Sequence, residues 1–469
     1  MGRPAILCFS LLLLATIALL INLNGCGSSS PSVSVPPPQG TILHVVVIFQ
    51  ENRTPDNLFH DPVLMAKGAD IASTGVDSSN NKITLTATSL GVEYDLGHAH
   101  HDFGAMYNGG MMNGADKVSI NCFGITNCPP PNPQFLYVQA SDVGPYFQMA
   151  EQYTFGDRMF QTNQGPSFPA HQFIMTGTSA PTASSNLFVA ENPAGGAGCA
   201  AVSTSSVVLI DPSGNESSSM YPCFEHASLT DELDAKNLSW RYYTPSAGSI
   251  WTAPNAIQHI CGPNNPPPNG TSCQGAEWLN NVVIYNQQNP APILTDIANN
   301  KLPAVSWVIP AGKNSDHAGS TATLGGPSWV ASIVNAIGSS PYWANTAIIV
   351  TWDDWGGWYD HVPPPQIISD GSSWGSGYVY GFRVPLIVLS PYAKPGYISH
   401  VTHDFGSILN FIEQNFQLPS LGYADAHADA LSDCFDFGQT PLKFTPIAAR
   451  LSADHFLHDL SPPTDPDDD

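Results

Sequence analysis

The run Thr346-Ala347-Ile348-Ile349-Val350 is apolar and β-branched without alternation, and it leads straight into TWDDWGGWYDHVPPP, residues 351–365. A continuous run of this kind is a strand buried on both faces, so the chain needs covering layers on each side of a sheet. Two adjacent carboxylates, Asp353 and Asp354, therefore stand where a core strand ends and a Gly-rich turn begins. Neighbouring carboxylates repel each other and are costly to desolvate without a cation. A hard divalent ion taking oxygen ligands resolves that cost, and so does full solvation of the turn. Trp352, Trp355, Trp358 and Tyr359 crowd the pair, which is poor company for a surface loop. Asp360-His361 adds a carboxylate and an imidazole before the proline run ends the turn. The stretch reads as half of an active site.

A second buried run, residues 44–50, reads as a central parallel strand and ends at Glu51-Asn52-Arg53-Thr54-Pro55. In open α/β sheets ligands bind beyond the carboxyl ends of strands. Glu51 and Asn52 offer a metal one carboxylate and one amide oxygen there. Thr54 and Pro55 also fit a helix cap and first turn, and both roles are compatible. Further strands are expected at residues 154–160, 239–243, 304–310 and 384–389, with helices over 327–337 and 405–416. This alternation predicts an α/β fold with a mostly parallel central sheet and helices on both faces. Residues 190–275 are loop-rich and read as an insertion over the core.

Between the strands lie candidate functional groups. Asp95-Leu96-Gly97-His98-Ala99-His100-His101 carries a histidine cluster, which suits metal binding, acid–base work or a plain loop. Gly165-Pro166-Ser167-Phe168-Pro169-Ala170-His171 places a serine between proline-bearing turns just before a helix. A nucleophile there would meet free amides and the positive helix end, whereas a capping serine occupies the same place. Ser315-Asp316-His317 follows the strand at 304–310.

Composition bounds the partners and the compartment. Acidic residues outnumber basic ones 38 to 14, for a formal charge of −24, which argues against nucleic acid or a polybasic membrane patch. Arg3 precedes an apolar run to Ile21 and then Leu23-Asn24-Gly25-Cys26, so residues 1–26 read as a signal peptide with a lipobox whose lipidated residue is Cys26. Asn24 is atypical there, which leaves plain secretion or an uncleaved anchor open. Residues 27–40 read as a Ser/Pro-rich tether, 41–457 as the folded domain and 458–469 as a disordered acidic tail. The expected location is the periplasm or cell envelope, with a possible membrane tether through Cys26; nothing fixes an oligomeric state. Six later cysteines fall into local couples, 122–128, 199–223 and 261–273, which suit disulfides in an exported chain and leave Cys434 over.

Taken together, these residues resemble the bacterial phosphoesterase family of acid phosphatase A-type enzymes and phospholipases C, in the alkaline phosphatase superfamily. The resemblance rests on Gln50-Glu51-Asn52-Arg53, Asp95-Leu96-Gly97-His98, Asn108-Gly109-Gly110, Gly165-Pro166-Ser167, Ser315-Asp316-His317, Asp353-Asp354, Asp360-His361-Val362 and the run from Val384 to Tyr397. It implies a divalent ion such as Ca, Mg or Mn, oxygen-ligated by Glu51, Asp353 and Asp354, with Asn52 beside it. It implies Ser167 as nucleophile forming a phosphoseryl intermediate, and His98 and His317 at the phosphoryl group, one protonating the leaving alkoxide. His101, His171 and His361 are then expected on the substrate side, and the substrate is a phosphate mono- or diester or a phospholipid. The phospholipase branch commonly has Thr at the Ser167 position, Asp-Glu where this chain has Asp353-Asp354, and Asn-Arg where it has Ala170-His171. Two other readings remain: a sulfatase-like enzyme, from the Ser-x-Pro-x turn at Ser167, and a non-catalytic ligand-binding lipoprotein.

Overall fold

The computed structural model describes Gly2 and residues 36–319, 325–365 and 380–464. The expected signal peptide apart from Gly2, Cys26, residues 27–35 of the expected tether and the last five residues of the expected tail lie outside the described residues. Among the described residues no helix is long and apolar enough to cross a membrane.

The centre is a nine-stranded sheet. In chain order its strands are β1 (His44–Gln50), β2 (Thr154–Phe160), β3 (Trp240–Thr244), β4 (Val282–Ile284), β5 (Val305–Val308), β6 (Thr346–Trp352), β7 (Arg383–Leu389), β8 (Ile398–Ser399) and β9 (His403–Asp404). Their spatial order is β4-β3-β5-β1-β6-β7-β2-β8, with β9 also pairing with β2. Only β7 runs against its neighbours, so the sheet is mostly parallel, as expected. Val45 to Gln50 and all of β6 are buried, which explains why both read as unbroken apolar runs.

The helices that position the site are α1 (His100–Tyr107), α2 (Ala140–Gln152), α3 (Ser167–Thr176), α4 (Gly325–Gly338) and α5 (Phe405–Phe416). One large apolar cluster unites the sheet with α2, α3, α4 and α5. A smaller one, including Phe103, Trp355, Trp358 and Phe382, stands over the turn after β6 and buries the two tryptophans that follow the Asp pair.

Register fixes the functional end of the sheet. β1 pairs with β6 in parallel from His44 opposite Thr346 to Gln50 opposite Trp352. Glu51 and Asp353 therefore leave two adjacent strands side by side, and the Asp353 amide donates to the Gln50 carbonyl at 3.1 Å.

The disulfides Cys122–Cys128, Cys199–Cys223 and Cys261–Cys273 are all formed, and Cys434 is a buried thiol. Two expectations need correction. The 190–275 segment is not wholly appended, because β3 within it is a full member of the sheet between β4 and β5. The tail is not free from residue 458 either: the Gly312 amide donates to the Thr464 carbonyl at 2.7 Å, and Lys313 Nζ lies 2.6 Å from Asp459 Oδ2.

Candidate active site

The Gln50–Arg53 segment divides its side chains between two tasks. Gln50 Nε2 donates to the Asn314 carbonyl at 3.1 Å, and its Oε1 accepts the Asp316 amide at 3.0 Å. Arg53 reaches the Asp316 carbonyl with Nε at 2.8 Å and Nη2 at 2.6 Å. Asp316 Oδ2 in turn accepts Tyr146 Oη–H at 2.7 Å and Trp352 Nε1–H at 3.0 Å, while burial pushes its carboxyl up to about 7. These bonds fix the loop that carries His317. Glu51 and Asn52 are left to face the site.

Ser167 is the first residue of α3, and the cap position before it is Pro166, which gives no side-chain bond. Its hydroxyl instead lies 3.0 Å from Glu51 Oε2 and 3.2 Å from Asp354 Oδ2. The capping role that the sequence left open is thus not the one adopted. The Phe168 amide, one of the free donors of the helix, is taken by Asn192 Oδ1 at 2.9 Å. Gly356, at φ +60°, turns the chain after Asp354, and a Cβ there would lie 2.2 Å from the Asn52 carbonyl oxygen. Only glycine lets that turn press against Asn52.

His171 is one helical turn beyond Ser167, so both point from the same face of α3. Its Nε2 lies 3.0 Å from Glu51 Oε1 and 3.7 Å from Asp353 Oδ2. Desolvation pushes its pKa down to about 4 despite the nearby Asp353 charge, so the ring is neutral. Tyr242 Oη donates to the Trp251 carbonyl at 2.7 Å and lies 3.4 Å from His171 Nδ1. The tautomer that satisfies Tyr242 carries its proton on Nδ1 and turns an Nε2 lone pair toward two carboxylates. Such an arrangement calls for a cation between them.

The residues around His171 suit a divalent ion. Both carboxylate oxygens of Asp353 and the Oδ1 of Asn52 are buried without a hydrogen-bond partner among the described residues. Glu51, His171 and Asp353 each offer a ligand atom, all within 4.8 Å of one another. The structure thus places His171 beside Glu51 and Asp353 rather than on the expected substrate side, so the candidate donors are mixed nitrogen and oxygen.

His98 and His317 face each other across the site, with ring centroids 5.8 Å apart. Each holds Nδ1 against a backbone carbonyl, Leu96 at 2.8 Å and Ala318 at 2.6 Å, so each turns Nε2 inward. His98 Nε2 lies 3.4 Å from Asn52 Nδ2. A cavity of about 360 Å³ reaches this region, lined by His98, His101, Pro166, Glu191 and Asn192 among others. His101 is on its exposed rim, 3.2 Å from Asp102. Glu191 and Asn192 carry no local sequence signal; burial pushes the Glu191 carboxyl up to about 7.

His361 is placed elsewhere. Its Nδ1 lies 2.7 Å from Asp56 Oδ2 and its Nε2 3.0 Å from Asp70 Oδ1, within a buried network where Arg383 binds Asp360 at 2.9 Å. Burial lowers the His361 pKa, but the Asp56 hydrogen bond together with the Asp56 and Asp360 charges outweighs it and raises the value to about 9. A raised histidine pKa gives stability that is present in full below the unfolded value, about 6.5, and is lost as pH rises through the folded one. His361→Gln is therefore expected to lower the melting temperature at pH 6 and to differ little from wild type above about pH 9. Thermal scans of both proteins across that range check the sign.

The fold and this convergence define an α/β protein that gathers carboxylates, an amide, histidines and a helix-heading serine at the carboxyl ends of adjacent strands. The chain belongs to the Phosphoesterase family, which it matches over residues 42–419. It is 25% identical over 434 residues to a non-hemolytic phospholipase C from Burkholderia pseudomallei, covering 80% of this chain and 55% of that protein. It is 32% identical over 189 residues to phospholipase C B from Mycobacterium tuberculosis, covering 36% of each. The chain thus spans about half the length, or less, of these curated relatives. A solved structure of an alkaline phosphatase superfamily protein from Vibrio parahaemolyticus is similar at a TM-score of 0.35 and 9% identity, over 83% of this chain and 71% of that one.

Proposed function

We propose that this chain is an exported, metal-dependent hydrolase of phosphoric esters that works through a phosphoseryl intermediate on Ser167. The observation that carries the reading is Ser167 Oγ, held within hydrogen-bond reach of Glu51 and Asp354 at the head of α3, beside the Asp353 oxygens that have no hydrogen-bond partner among the described residues. Glu51, Asp353, Asp354 and His171 would hold the divalent ion, with Asn52 at its side. When bound, the ion would offset the carboxylate charge and lower the pKa of the serine hydroxyl.

Ser167 Oγ releases its proton to solvent and attacks phosphorus in line with the leaving oxygen, whose bond to phosphorus breaks as the bond to Oγ forms. The non-bridging oxygens lie toward Asn52, His98 and the amide end of α3. His317 then protonates the departing alkoxide through Nε2, since its Nδ1–H is committed to Ala318. In the second half-reaction the same nitrogen takes a proton from the attacking water, and Ser167 is released. An acid of this kind matters most when the leaving group is basic. His317→Asn is therefore expected to lose roughly 10²-fold or more on an alkyl phosphate and much less on p-nitrophenyl phosphate. Equal losses on the two substrates would remove His317 from the proton-transfer role.

Substrate choice is tested by profiling a phosphomonoester, a phosphodiester, phosphatidylcholine and an aryl sulfate, with metal analysis of the same sample. Turnover of a phosphate ester with bound divalent ion supports the proposal. Turnover of the sulfate alone would support the sulfatase-like alternative, and no turnover at all a binding role.

A further inference from the structure

A cluster of donors that the proposed chemistry does not use sits at the β8/β9 edge of the sheet. His403, in β9, is fully buried and holds Nδ1 2.7 Å from Asp429 Oδ1. Its Nε2 lies 3.4 Å from Asp433 Oδ1 and 4.0 Å from Cys434 Sγ. Cys434 Sγ lies 3.6 Å from Asp433 Oδ1. Ser399 Oγ completes the group, 3.0 Å from His403 Nε2 and 2.5 Å from Asp433 Oδ2.

We propose that His403 Nε2, Asp433 Oδ1 and Cys434 Sγ form a second metal site, of the zinc type, in which Asp429 orients the histidine. The donor atoms are spaced for it. Tetrahedral zinc, with bonds of about 2.0–2.3 Å to these atom types, sets its ligand atoms about 3.3–3.6 Å apart. Two of the three separations, 3.4 Å and 3.6 Å, already fall in that range. The third, at 4.0 Å, closes with a small rotation of the Cys434 side chain. A carboxylate on the far nitrogen of a metal-bound histidine is the usual orienting contact, and Asp429 supplies it. The Ser407 hydroxyl donates to the same Asp429 oxygen at 2.8 Å and so fixes the carboxylate.

The donor set also selects the ion. A thiolate with an imidazole favours zinc or cobalt over calcium or magnesium. The candidate active site contains no cysteine, so the two sites differ in kind. Binding exchanges protons for metal: the Sγ proton and any proton on His403 Nε2 leave to solvent as the two bonds to the ion form. The ion would staple the irregular segment around Cys434 to the sheet edge, where the Cys434 carbonyl already accepts from the Lys394 amide and the Thr154 hydroxyl, each at 3.0 Å.

The test uses the full chain stripped with chelator and titrated with Co²⁺. A thiolate-to-cobalt charge-transfer band is expected in the wild type, because the other cysteines of the folded domain are held in disulfides. The band should vanish in Cys434→Ser, weaken at least tenfold in apparent affinity in Asp433→Asn, and persist in Asp353→Ala. Wild type should also hold one more equivalent of zinc than Cys434→Ser. No thiolate band in the wild type would overturn the site and leave His403 as an imidazolium clamped between two aspartates. A band unchanged in both Cys434→Ser and Asp433→Asn would overturn it equally. Neither outcome touches the proposed role of Ser167, because activity is not the readout.

Discussion

Ser167→Ala is expected to fold, to retain the divalent ion and to lose turnover by several orders of magnitude, roughly 10³-fold or more. The size follows from the geometry. Ser167 Oγ is fully buried and makes its two contacts with Glu51 and Asp354, not with the amides of its own helix. Losing a helix cap would cost about 1 kcal/mol and leave chemistry intact. Losing the attacking oxygen removes the covalent path altogether. Metal content, melting temperature and steady-state rates on one preparation separate the two. Acid quenching of the wild type during turnover should in addition leave phosphate on the peptide containing Ser167.

Asp353→Ala is expected to abolish activity and ion binding without lowering the stability of the metal-free protein. This sign is unusual for a buried charge. Removing one partner of a buried ion pair is ordinarily costly, because the other is left uncompensated. Asp353, however, has no hydrogen-bond partner for either oxygen among the described residues, and it sits beside Glu51 and Asp354. In the metal-free state its removal relieves repulsion and desolvation. With the ion present, wild type should gain a melting increment set by ligand concentration over Kd, and the variant should gain none. A metal-free variant that melts well below metal-free wild type would make Asp353 a structural residue.

How much of this was legible in the sequence depended on whether the signal was local. β1 and β6 announce themselves because a doubly covered strand is apolar at every position, and their endings place Glu51 and Asp353 where the structure has them. α5 is found at residues 405–416, the span that helical spacing predicts. The disulfide couples were legible because their loops are short. His171 was readable in principle, since it follows Ser167 by one helical turn; its place among the carboxylates depends on the distant β1 and β6 ends. His361 misled for the opposite reason. Its neighbour Asp360 imitates a site, while the partners that occupy both residues, Asp56, Asp70 and Arg383, are distant in sequence. Asn192 and Glu191 reach the site from a loop with no periodicity, so only the tertiary fold reveals them. The β3 strand was legible at residues 239–243 despite its cysteine-rich, loop-rich surroundings, but its place between β4 and β5 needed the tertiary fold.

Passage of the phosphoryl group through a covalent bond to the enzyme would show in the stereochemical course at phosphorus. The measurement is transfer from a substrate made chiral at phosphorus with oxygen isotopes to an alcohol acceptor. Attack by Ser167 followed by attack of the acceptor makes two in-line displacements, so the account predicts net retention of configuration. Net inversion would mean a single direct displacement, and Ser167 would then not be the nucleophile.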